Sequence, residues 1–173
     1  GTEMRKFFSR SVGEDFRASV KQSMKAIRQR SDADPSYGIA GNTFRAFRGF
    51  PKPSGTYRGW AERTTRDTLE LETGFRSQEE FDTWHRDLAE SLRDHWTETY
   101  GQPASFAHTF KMVDLYVKWL SCRAECPSAL ADSLVRYGYC ALDSQILKAL
   151  NSALGGALPC SRPSTGDIAN ENT

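Results

Sequence analysis

Between Ser105 and Cys122 the chain carries Phe106, Phe110, Met112, Val113, Leu115, Tyr116, Val117, Trp119 and Leu120, spaced so that they surround most of the circumference of a helix. A helix apolar on most of its sides is stable in water only when other elements enclose it. This segment therefore predicts an all-α fold with residues 105–122 at its centre. The enclosing helices are read from caps and periodicity. Ser11-Val12-Gly13-Glu14 is a capping box, followed by Phe16, Val20, Met24 and Ile27 on one face. Residues 31–59 are rich in glycine and proline and predict a long irregular segment, with at most one short helix near Phe44 to Phe47. A helix is expected from Trp60 to Thr73, ended by Gly74. Ser77-Gln78-Glu79-Glu80 opens another, with Phe81, Trp84, Leu88, Leu92 and Trp96 inward. Pro127-Ser128 starts a short helix, with Leu130 and Leu134 inward, that stops near Gly138. Asp143 caps a last helix, whose core face is Ile146, Leu147, Leu150 and Leu154 and which Gly155-Gly156 ends. The expectation is one compact domain of about six helices over residues 1–156, followed by a poorly ordered tail at 157–173.

With 173 residues the chain can bury a core without metal or disulfide staples. Only 38% of residues are apolar and the mean hydropathy is −0.61. No apolar run approaches the roughly 18 residues of a membrane span, and Gly1 to Arg10 lacks the apolar stretch of an export signal. A cytoplasmic protein with no membrane partner is expected, and a monomer. Four cysteines, at 122, 126, 140 and 160, are expected as thiols rather than a disulfide framework. Cys122-x3-Cys126 offers two metal ligands, but the other two cysteines are scattered and no pair of histidines completes a set. No metal is expected. The formal charge of +1 means that affinity for nucleic acid must come from a local patch.

Such a patch is present. From Asn42 to Trp60 the chain carries Arg45, Arg48, Lys52 and Arg58 and no acid, interleaved with Phe44, Phe47, Phe50, Tyr57 and Trp60. Cations neutralise phosphates, and rings such as Phe47 and Trp60 can stack on bases. The alternative is a loop folded over the core, with its aromatics buried and its arginines solvated. Two residues could carry chemistry. Asp143, held at a helix N-terminus, would be kept ionised by backbone N–H groups and could stabilise a sugar cation; it could equally be a plain cap. Lys111, within the apolar helix, is either held in a pocket as a nucleophilic amine, solvated, or paired at i,i+3 with Asp114. His108 shares a helix face with Lys111 at i,i+3 and is read as a pocket contact or a satisfied core histidine; His85 and His95 are read as helix residues.

Phe110-Lys111-Met112 on a long helix reaching Trp119, a short helix, and Ala141-Leu142-Asp143-Ser144-Gln145-Ile146-Leu147 opening the last helix together resemble the helix–hairpin–helix DNA glycosylases. The resemblance covers about 45 of 173 residues. The 32-residue separation of Lys111 and Asp143 (143 − 111) is similar to the archaeal 8-oxoguanine glycosylase branch. The small size is similar to bacterial anti-phage glycosylases that remove glucosylated hydroxymethylcytosine. Where the family has a Leu-Pro-Gly-Val-Gly hairpin, this chain has Gln102-Pro103-Ala104-Ser105. The resemblance implies a divergent helix–hairpin–helix glycosylase that binds DNA, flips a modified base from the duplex and cleaves its N-glycosidic bond without metal or organic cofactor. Asp143 would stabilise the developing cation, and Lys111 would be the nucleophile of a bifunctional enzyme with lyase activity or a phosphate contact in a monofunctional one. Arg45, Arg48, Lys52, Arg58, Phe47, Trp60, His108 and Gln145 would contact substrate or DNA. The reading from another class is a non-catalytic helical module that binds nucleic acid or protein through the arginine and aromatic loop.

Overall fold

A computed structural model describes residues 36–41, 43–47 and 49–141. Among these the regular structure is all helical, with no strand. A short 3-10 helix, Thr43–Phe47, precedes four α-helices: α1 (Pro53–Leu69), α2 (Gln78–Tyr100), α3 (Phe106–Leu120) and α4 (Ser128–Tyr137). The expected helices opening at Ser11 and at Asp143 lie outside the described residues, as does the 157–173 tail.

The apolar helix is central, as its composition requires. Nine of the fifteen residues of α3 are buried, and Met112, Val113, Tyr116 and Leu120 are wholly so. Ser105 caps its start by accepting the His108 N–H. α2 lies against one side of α3 and α4 against another. α1 reaches it through Trp60, whose ring meets Tyr116 at 5.2 Å. Burial pushes the Tyr116 hydroxyl up to about 12. Its oxygen lies 3.1 Å from that of Thr65, whose own proton goes to the Ala61 carbonyl.

α2 follows its sequence closely. The Ser77 hydroxyl accepts the Glu80 N–H at 3.2 Å, and the Glu80 carboxylate reaches back to the Arg76 N–H at 2.8 Å. Gly101, at φ 72, closes the other end by donating to the Thr97 carbonyl. The buried face differs from expectation at Trp84, His85 and Ala89. Phe81, His85, Leu88, Ala89, Leu92 and Trp96 face inward, whereas Trp84 is half-buried against Phe75 and Phe81. His85 takes the inward place expected for Trp84, because it stands four residues after Phe81 and three before Leu88.

α1 differs more. It starts at Pro53, seven residues before Trp60, and ends at Leu69, four before Thr73. Pro53 is preset for the first helical position, where its missing N–H is no loss. Lys52 turns the chain into the helix with a left-handed backbone, φ 52 and ψ 49. Gly55 and Gly59 each cost about 1 kcal/mol inside a helix. Burial of Tyr57 and Trp60 offsets this, at roughly 1.5–3 kcal/mol for each large apolar side chain. Beyond Leu69 the residues are exposed, and the chain must pass Gly74 against the Ala129 carbonyl and Ser133 of α4, leaving no room for a Cβ.

The irregular segment before α1 is tied down by rings. Phe47 meets Trp96 at 5.0 Å, and Phe50 meets Trp96 at 5.5 Å and Tyr100 at 4.9 Å. The Tyr100 hydroxyl donates to the Pro51 carbonyl at 2.8 Å and accepts from Thr56 at 2.7 Å. The short helix stands where Phe44 to Phe47 was expected to form one.

Candidate functional site

The basic, aromatic loop sorts its residues by chemistry. Phe47 is 3% exposed and Trp60 is 2% exposed, with the indole N–H donated to Ser91 at 3.1 Å. Tyr57 is wholly buried and donates its hydroxyl to the Tyr37 carbonyl. Phe44 and Phe50 are half-buried against the core. The two rings expected to stack on bases are therefore core residues, because the segment has few other apolar side chains with which to cover α2. Arg45, Lys52 and Arg58 are exposed. Among the described residues none of the three is held by a carboxylate. The loop presents charge to solvent and keeps its rings inside. Arg48 lies outside the described residues.

The same loop reaches the start of α3. The Phe47 ring lies 5.1 Å from that of His108, and the Ser105 hydroxyl meets His108 Nδ1 at 2.7 Å. His108 is held below the usual histidine range, first by burial and then by the neighbouring charge of Lys111. Lys111 is half-buried, one turn further along α3. Asp114, the i,i+3 partner among the alternatives for Lys111, is engaged elsewhere.

Asp114 is buried and pairs with His85 across the α2–α3 contact, His85 Nε2 to Asp114 Oδ1 at 2.8 Å. A ring nitrogen facing a carboxylate oxygen at this distance is the donor. Phe81 stacks on the imidazole at 5.5 Å, and Phe110 and Tyr139 meet it at 5.5 and 5.2 Å. Tyr139 follows α4 in the non-helical stretch that starts at Gly138. Its hydroxyl donates to Asp82 Oδ1 at 2.7 Å, and Gln78 Nε2 donates to the same oxygen at 2.7 Å. These two bonds hold the Asp82 carboxyl below its ordinary value, and Asp82 in turn raises Tyr139. An imidazole oriented by a buried carboxylate is an arrangement used for proton transfer; here His85 is 4% exposed beneath its three rings.

The sequence pattern marks Asp114 only as an i,i+3 partner for Lys111, His85 only as a helix residue, and Tyr139 not at all. The available clue was the isolated acid of α3: a carboxylate in a helix enclosed on most sides must find a partner. The i,i+3 spacing suggested Lys111, and the partner on a neighbouring helix was not visible in local spacing. Asp143 and Gln145 lie outside the described residues.

At the opposite end of α3, Ser121, Cys122, Arg123, Cys126, Ser128 and Asp132 help to line a cavity of about 320 Å³. Cys122, Cys126 and Cys140 form no disulfide. Burial, and secondarily Cys122, pushes the Cys126 thiol up to about 11, which makes it a poor nucleophile. Among the described residues no three histidine, cysteine or acidic side chains gather as metal ligands. No helix among them is long and apolar enough to cross a membrane.

Comparison of the chain with protein-family models, with curated proteins and with solved structures found no match.

Proposed function

We propose that the protein is a DNA glycosylase of divergent helix–hairpin–helix type, excising a modified base with Asp143 as the cation-stabilising carboxylate and Lys111 beside it. The observation that carries this reading is the position of Tyr139. Its ring touches His85, which touches Phe110 and Asp114, the residues that adjoin Lys111 on α3. Asp143 follows Tyr139 by four residues, and four residues span at most about 14 Å. That chain length is compatible with Asp143 acting beside Lys111, as the resemblance implies. The exposure of Arg45, Lys52 and Arg58 supports a phosphate-binding role for the loop. Phe47 seats that loop beside His108 on the same helix. The excision chemistry itself rests on the resemblance of residues 105–150.

The second reading is a non-catalytic helical module that binds a polyanion. The burial of Phe47 and Trp60 favours it, since an outward surface of cations without rings reads phosphates and not bases. One experiment separates the two. Duplexes carrying 8-oxoguanine or glucosylated hydroxymethylcytosine are incubated with the protein and then treated with hot alkali, which breaks strands at abasic sites. The glycosylase reading expects a break at the modified base in one of them. Salt-dependent binding to both duplexes with no break would replace it with the second reading.

A further inference from the structure

We propose that residues 137–141 form a latch, in which Tyr139 caught on Asp82 closes the chain over the His85–Asp114 pair and opens to admit solvent to it.

The latch is built from side chains on two elements far apart in sequence. Tyr139 bonds Asp82 over a separation of 57 residues. Gln78 donates to the Tyr137 carbonyl at 3.2 Å, and the Tyr137 hydroxyl donates to the Arg76 carbonyl at 3.2 Å. Every one of these bonds lies at the surface of the N-terminal end of α2. The Tyr139 ring contacts Phe81 at 5.8 Å and His85 at 5.2 Å, yet the residue is 50% exposed, so the ring meets the pair below while much of the residue is open to water. Beneath it lie a buried imidazole and a buried carboxylate, the least apolar pair in the core. A cover held by solvent-exposed hydrogen bonds opens more readily than one held by buried apolar contacts. Opening it would admit water to His85.

The test reads His85 directly, through carbethoxylation of imidazoles by diethyl pyrocarbonate in the intact protein, followed site by site in the digested peptides. His95 and His108 serve as internal references. In the wild type His85 should react most slowly of the three. Tyr139→Phe keeps the ring and removes the catch, and should raise the His85 rate by between about twofold and tenfold, the factor that one exposed hydrogen bond commands. Asp82→Ala should match it. Asp82→Asn, which keeps an acceptor oxygen, should restore the wild-type rate. Tyr139→Ala should raise the rate further, and if that variant does not fold the other three still decide. A His85 rate unchanged in Tyr139→Phe and Asp82→Ala overturns the cover.

Discussion

Asp114 illustrates what a single residue can and cannot announce. An acid in the most enclosed helix must be paired; its partner, His85, comes from α2, 29 residues earlier. Removing one member of a buried pair leaves the other desolvated without compensation, so Asp114→Ala should lose about 3–5 kcal/mol of stability. The double replacement His85→Phe with Asp114→Leu, which removes both polar groups and fills the space, should recover most of that loss. Denaturant melts of the single and double variants check this. If Asp114→Ala melts like wild type, the pair is not a closed internal contact.

At the scale of elements, α2, α3 and α4 were legible and the start of α1 was not. Ser77 and Glu80 announce α2, and Ser105 with its apolar run announces α3. The start of α1 was hidden, because Pro51, Pro53, Gly55 and Gly59 read as loop residues, and Tyr57 and Trp60 hold the helix through contacts that local sequence does not reveal. Its glycines therefore carry a testable sign. A Cβ at Gly55 would meet nothing within 4 Å, and one at Gly59 only Arg63 Nη1 at 3.8 Å. Gly55→Ala and Gly59→Ala should each stabilise by about 0.5–1 kcal/mol. Gly74→Ala should destabilise by about 1–3 kcal/mol, because its Cβ would collide with the Ala129 backbone of α4. Thermal melts of the three variants read these signs. Destabilisation by Gly55→Ala would mean that α1 does not begin at Pro53.

For the whole molecule, the all-helical class follows from one segment, since a helix apolar on most sides has to be enclosed. The candidate site was legible only in its exposed parts. Charge without nearby acids marks Arg45, Lys52 and Arg58, whereas the sorting of Phe47 and Trp60 into the core depends on Trp96, Ser91 and Tyr116, far away in sequence. Around α3 stand a cationic loop at its start and Lys111 one turn before a buried acid. Under the proposed function Asp143 performs chemistry. Asparagine would serve nearly as well as a cap, with a loss of about 0.5 kcal/mol of charge–dipole energy, but a neutral amide cannot stabilise a sugar cation. The direct measurement is single-turnover release of the modified base by wild type and Asp143→Asn, beside a thermal melt of each. The proposed function predicts matching melts and a fall in excision of about a hundredfold or more, the scale of losing a preorganised electrostatic group. Wild-type excision by Asp143→Asn would contradict it.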